Sequence, residues 1–164
     1  MSDILFIADV MLGSLARWLR IAGFDTLYYR HIDDRDLIRI AKQQQRILLT
    51  RDTNLTRRRM EDRFLLIHSE DTFEQLKEVL RALNIHELSF SPRCPQCNGM
   101  LEAVTKESVF DDVPDHVMLT VDSFFKCAGC GKVYWKGSHK RRIDMKMKEL
   151  AKEIDPRWEL SKED

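Results

Sequence analysis

Two sets of residues in this chain have the type and spacing to do chemistry. One is a pair of Cys-x-x-Cys motifs, Cys94 and Cys97 in CPQC and Cys127 and Cys130 in CAGC. The other is a set of aspartates that each follow an apolar run: Asp9 after ILFIA, Asp33 and Asp34 after TLYY, and Asp52 after ILLT. Two tight turns presenting two thiolates each can close a tetrahedral Zn²⁺ site of the structural kind. The alternative, a redox pair, calls for a Cys-x-x-Cys at a helix start in a βαβ setting, which neither motif has. The segment between the pairs, residues 98–126, is longer than in the commonest zinc ribbons and calls for an inserted hairpin or loop. A region as small as residues 91–137 gains from a metal what its short supply of core residues cannot provide.

The aspartates have a different chemistry. In an open parallel sheet, ligands gather beyond the carboxyl ends of the strands. Asp9, Asp34 and Asp52 each follow a strand-like run, so a parallel sheet sends them toward one edge. Carboxylates gathered there repel one another, and a hard divalent cation such as Mg²⁺ or Mn²⁺ is the usual remedy. Such a site suits hydrolysis of phosphodiesters. Taken singly, each acid also has a plain structural explanation, Asp34 and Asp52 as helix N-caps and Asp9 as a turn residue. Gly13 and Ser14 lie where the first helix should start, a place that attracts phosphate. Arg17, Arg20 and the run Arg57-Arg58-Arg59 would add backbone-neutralising cations, or else form solvated helix faces.

The elements that must position these groups alternate. Ile4–Ile7, Thr26–Tyr29, Ile47–Thr50 and Phe64–Ile67 read as strands without polar alternation, as in a sheet covered on both faces. Between and after them lie helical stripes: Leu12, Leu15, Ala16, Leu19 and Ala22; then Leu37, Ile40 and Ala41; a short arginine-rich helix after Asp52; and Phe73, Leu76, Leu80 and Leu83 after Asp71-Thr72. An α/β domain over residues 1–90 follows, with the cysteine region at 91–137 as a zinc ribbon. Residues 138–164 form a basic linker and an amphipathic helix with Ile143, Met147, Leu150 and Ile154 at helical spacing. The 164 residues carry 27 basic and 27 acidic side chains, so net charge points to no partner and only its clustering is informative. There is no basic leader before an apolar core at the N-terminus and no run near ~18 apolar residues. We expect a cytoplasmic protein with no membrane partner. Walker, G-x-G-x-x-G, G-x-S-x-G and H-E-x-x-H motifs are all missing from the sequence.

Taken in order, FIADVMLGSLARWLRIAGFDT, the Asp33-Asp34 pair before a helix, RILLTRD-x-x-L, RCPQCNG-x-L and CAGCGKVYWKGSHKRRI resemble the RNase domain family named after the C-terminal domain of the Mut-seven exonuclease. That family is a PIN-like nuclease domain with an attached zinc ribbon, and the resemblance covers residues 4–142. It implies a PIN-like fold, RNA (single-stranded) as substrate and a catalytic Mg²⁺ or Mn²⁺. By matched position Asp9, Asp34 and Asp52 are the acidic residues. PIN nucleases usually display four, and the fourth place falls to Asp33, Asp36 or Asp71. Lys136, His139, Lys140, Arg141 and Arg142, at the ribbon's end, would contact RNA or form a basic solvated linker. The expectation is a metal-dependent ribonuclease with structural zinc. The alternatives are a non-catalytic RNA-binding or adaptor module that uses its ribbon, and a small-phosphate hydrolase sharing the metal chemistry.

Overall fold

The computed structural model describes residues 4–57, 63–85 and 93–154. The chain divides into two compact units, Met1–Asn98 and Gly99–Asp164.

The first unit is the expected α/β layer. Its strands are β1 (Leu5–Ala8), β2 (Asp25–Tyr28), β3 (Ile47–Thr50) and β4 (Phe64–Leu66), and its helices are α1 (Gly13–Ile21), α2 (Asp34–Gln43), α3 (Thr53–Thr56) and α4 (Thr72–Ala82). All pairings are parallel and the sheet order is β2-β1-β3-β4. Register assigns the faces. Ile7, Leu27, Leu48 and Phe64 are partners across the sheet and pack in one cluster with Leu37 and Ala41 of α2 and Leu55 of α3. Side chains alternate along a strand, so Ala8, Tyr28 and Leu49 face the other way. There α1 and α4 lie together, with Trp18 and Phe73 in ring contact at 4.7 Å. Both faces are therefore dry, which explains strands without polar alternation.

The chain leaves β1 toward β2 on one side, and after β3 it continues to β4 on the other. The strand order thus reverses between β1 and β3, the point at which open α/β sheets place their ligand crevice. Asp9 follows β1 and Asp52 follows β3.

Several boundaries differ from the sequence expectation. A 3-10 turn, Val10–Leu12, precedes α1. Asp33, not Asp34, caps α2: its side chain accepts from the Asp36 N–H, and Asp34 is the first helical residue. With two adjacent aspartates either can cap by type, and the backbone decides; Asp33 has the extended conformation a cap requires. The helix after Asp52 is one turn, and Arg58 and Arg59 lie outside the described residues.

The second unit holds an antiparallel sheet of β5 (Leu101–Val104), β6 (Phe124–Cys127) and β7 (Val133–Trp135). β5 and β6 form the antiparallel strand pair expected between the cysteine motifs, and the connection between them is helical: a 3-10 segment, Glu107–Asp112, and a short helix α5, Asp115–Thr120. Val109, Val113, Val117 and Met118 from that insertion pack with Phe124 and Val133, giving this small unit a core of its own. The helix α6 follows (Ser138–Ile154), with Met147, Leu150 and Ala151 buried. Residues 155–164, where the sequence extends that helix, lie outside the described residues. Among the described residues no helix is long and apolar enough to cross a membrane.

Candidate active site and metal centre

Asp9 is 6% exposed at the end of β1, a depth at which a carboxylate needs donors. Its Oδ2 accepts from the Thr50 hydroxyl at 2.8 Å, and its backbone N–H donates to the Leu49 carbonyl at 2.9 Å. The same Thr50 oxygen accepts from the Asp52 N–H at 3.0 Å. One hydroxyl thus ties the Asp9 side chain to the backbone at Asp52, across the crevice between β1 and β3. Asp9 makes no side-chain cap to the 3-10 turn that follows it, so the turn-residue explanation does not account for its burial. Asp52 does cap α3, its Oδ1 accepting from the Asn54 N–H at 2.8 Å. A carboxylate can accept at several further positions, so capping leaves it able to take a ligand.

Strand order puts these residues at the carboxyl end of the sheet. Asp9 lies two residues beyond Ile7 and Thr50 two beyond Leu48, so both share the face covered by α2 and α3. Asp34 opens α2 and Asp52 precedes α3 on that side. Of the other acids considered, Asp33 and Asp71 are helix caps and Asp36 pairs with Arg39 at 2.6 Å.

The cations divide into two groups. Ser14 and Arg17 are exposed in the first turns of α1, and Arg57 is exposed at the end of α3. Arg141 is exposed in α6, while the side chain of His139 lies outside the described part. Arg20, expected beside phosphate, is instead 5% exposed and engaged within the fold. Its Nε donates to the Thr26 carbonyl at 2.8 Å, and one terminal nitrogen donates to the Pro95 and Gln96 carbonyls at 2.9 and 3.1 Å. Burial lowers its pKa, and the nearby negative charge of Cys94, Cys97 and Asp25 works against that.

Those bonds fasten the first cysteine turn to the sheet. Thr26 sits buried on the edge strand β2, its hydroxyl donating to the Phe24 carbonyl at 3.2 Å. Its N–H donates to the Asn98 side-chain oxygen at 3.0 Å instead of to a neighbouring strand. Arg20 and Asn98 therefore satisfy both outward groups of Thr26, as a fifth strand would. The Asn98 amide also donates to Asp25 at 2.8 Å, and Asp25 pairs with Arg46 at 2.7 Å. Burial opposes ionisation of Asp25, but the hydrogen bonds from Arg46 and Asn98 outweigh it, so its pKa lies below the ordinary value.

The four sulfurs of Cys94, Cys97, Cys127 and Cys130 lie within 4.8 Å of one another. A tetrahedral Zn²⁺ with Zn–S distances near 2.3 Å sets its sulfurs about 3.8 Å apart, so the cluster fits such an ion. The two turns share a design. The Asn98 N–H donates to the Cys94 carbonyl and the Gly131 N–H to the Cys127 carbonyl, both at 2.9 Å. Asn98 and Gly131 both have positive φ, 69° and 74°, the conformation that lets the chain turn back after the second cysteine. Around Cys127 the Gly129 and Cys130 N–H groups point at Sγ, at 3.3 and 3.5 Å, a setting that favours a thiolate. Among the described residues this is the group of three or more Cys, His, Asp and Glu side chains gathered closely enough to hold one ion; Asp9, Asp34 and Asp52 do not form such a group.

Sequence reasoning passed over Thr50, Tyr28 and Asn98. Thr50 was the one polar residue in an apolar strand, which is a signal. The position of Asn98 after a cysteine pair, matching Gly131, is another. Tyr28 gave none: its ring lies over Gly13, where an added Cβ would come within 2.8 Å of it, and its hydroxyl donates to the Val10 carbonyl at 3.1 Å.

A parallel sheet with acids at the point where its strand order reverses, joined in one chain to a four-cysteine centre able to hold a metal such as zinc, defines an α/β domain of ribbon-bearing type. The family model described as the Mut7-C RNAse domain matches residues 4–147, and the chain belongs to that family. Membership points to a nuclease-type function with RNA as substrate. No curated protein and no solved structure matches the chain.

Proposed function

We propose that this protein is a metal-dependent ribonuclease that hydrolyses RNA phosphodiester bonds at the carboxyl edge of its parallel sheet. The observation that carries the reading is the linkage at the β1/β3 crevice. Asp9 is a buried carboxylate held by Thr50, and Thr50 is fixed in turn by the backbone of Asp52. A structural role would not require a charge at that depth, since burying one without a counter-ion is costly. Asp9, Asp34 and Asp52 would hold Mg²⁺ or Mn²⁺. These ions usually take one or two carboxylates and complete their shell with water and substrate phosphate, so three acids need not meet around one ion. Such a cation supplies a polarised phosphoryl oxygen and a water of lowered pKa.

The chain's own groups do the rest. Thr50 fixes the orientation of the Asp9 carboxylate. Asp52 keeps its position through the cap of α3. Ser14, Arg17 and Arg57 are exposed near the same edge and would neutralise the RNA backbone, as would His139 and Arg141 of α6. Zinc would hold the cysteine turns and take no part in the reaction, since four thiolates leave no open coordination position. The domain plan expected from the sequence, 1–90, 91–137 and 138–164, is retained as a functional division into nuclease, ribbon and basic helix.

The test is cleavage of labelled single-stranded RNA with Mg²⁺ or Mn²⁺ by the wild type, Asp9→Asn and Asp52→Asn. Asn keeps the size and a capping oxygen and loses the charge. Both variants should lose at least about 100-fold in rate, and full activity in either removes that residue from the site. The capping bond of Asp52 favours a second reading, an RNA-binding or adaptor module without cleavage. RNA binding by a wild type that cleaves nothing would establish it.

A further inference from the structure

Tyr29 is 39% exposed immediately after β2, and Val10 and Met11 are exposed immediately after Asp9, Met11 at 63%. Among the described residues of the first unit these are all of the exposed large hydrophobic side chains; the rest, Met100, Phe110, Leu119 and Met145, belong to the second unit. Among its described residues, this α/β layer thus exposes its bulky apolar groups at one place, the sheet edge that carries the acids. Scattered exposure of this kind needs no explanation, but exposure confined to one edge does.

Register locates Tyr29 more closely. Ala8 and Tyr28 are the last partners of β1 and β2, so Asp9 and Tyr29 lie one step beyond the same rung. Tyr29 is two residues past Leu27, as Asp9 is two past Ile7 and Thr50 two past Leu48, which assigns all three to one face. The preceding residue is fixed: Tyr28 lies over Gly13 and bonds to Val10. Tyr29 is therefore an aromatic side chain on an anchored strand end, beside the crevice, with exposed Arg30 and His31 after it.

We infer that Tyr29 is a stacking platform for an unpaired base of the RNA, bordered by Val10 and Met11, and that it makes the site select single strands over duplex. This rests on the reading of the acidic edge as the RNA site. Aromatic side chains stack on bases of any sequence, but only where the base is not already stacked and paired in a helix. Phosphate-binding cations alone would not make that distinction.

The experiment measures binding of a labelled 12-nucleotide single-stranded RNA on the Asp52→Asn background, and cleavage on the wild-type background. Tyr29→Ala should weaken binding about 10-fold or more while leaving the salt dependence unchanged, because no phosphate contact is lost. Tyr29→Phe and Tyr29→Trp should restore binding, and Tyr29→Leu should not. A series of oligomers with one abasic ribose should contain a position that weakens binding equally, and the two losses should not add. The series on unaltered Tyr29 stands even if a variant folds poorly. Unchanged binding in Tyr29→Ala, full rescue by Leu, or additive losses would overturn the platform while cleavage dependent on Asp9 and Asp52 kept the ribonuclease reading. Absence of such cleavage together with absence of RNA binding would remove both.

Discussion

Replacing Arg20 by Met tests the largest departure of the structure from the sequence expectation. The guanidinium makes one fully buried bond, to Thr26, and two to the turn at Pro95 and Gln96. A hydrogen bond from a charged donor contributes about 1.5–3 kcal/mol, and an orphaned buried carbonyl costs about 1–3 kcal/mol. Water can reach the turn more easily than Thr26, so those two bonds count at the low end. The expected loss is about 3–4 kcal/mol. For a chain of this size that is a fall in Tm of about 6–16 °C. Lys should not rescue it, because an ammonium lacks the planar fork that reaches both Thr26 and the turn. The assay is thermal unfolding followed by circular dichroism, with zinc release to a coloured chelator measured in parallel and RNA affinity measured on folded protein. Release should be faster in Arg20→Met and RNA affinity unchanged. An unaltered Tm and release rate, with RNA binding weakened and its salt slope reduced by about one charge, would refute the clamp and return Arg20 to the phosphate role.

Thr50→Val keeps the shape of Thr50 and removes the donor to Asp9; we expect a stability loss of about 1.5–3 kcal/mol in urea titrations, with RNA cleavage falling further than folding accounts for. Gly13→Ala puts a Cβ 2.8 Å from the Tyr28 ring, so it should destabilise by about 1–2 kcal/mol although Ala is the better helix residue, measured as a lower Tm. Asp25 titrates below its ordinary value in the folded state, so its stabilising contribution is full above about pH 4 and is lost as pH falls through the lowered folded pKa. Unfolding free energies measured from pH 6 down to pH 2 should show this loss, and Asp25→Asn should be less stable at pH 6 with a shallower decline. Metal analysis should find one zinc per chain, and Cys94→Ser should abolish it.

The α/β layer was legible because its signal is redundant. Four apolar runs, helical stripes between them and strand-end acids all demand the same parallel sheet, and β3 begins and ends where its sequence pattern does. The cysteine turns were legible because metal-ligand spacing is local. What was not legible depends on contacts distant in sequence. Nothing near Arg20 tells that Pro95 and Gln96 will stand beside it, so by type and helical position it read as a phosphate contact. The helical insertion was missed because Glu107–Asp112 and α5 are too short to show a stripe. The capping order at Asp33 and Asp34 depends on backbone angles that two identical residues cannot reveal.

The placement of the first cysteine turn bears on what a metal does for this protein. Asn98 and Asp25 meet at the start of β2, whereas Tyr28 and Tyr29 lie at its end, about 10 Å along the strand. The acids flank that far end, so the cysteine turn at residues 94–98 stands at the opposite edge of the sheet from the proposed chemistry. Edge strands leave unpaired backbone groups that proteins must cover. Here Arg20 and Asn98 cover those of Thr26, and Asn98 is held in its left-handed conformation by the turn that a bound metal would lock. A metal bound in this turn would therefore hold Asn98 in place against the edge of the sheet. Losing it would loosen the start of β2 first, while the strand end that carries Tyr28 and Tyr29 keeps its pairing with Ala8 and its bond to Val10.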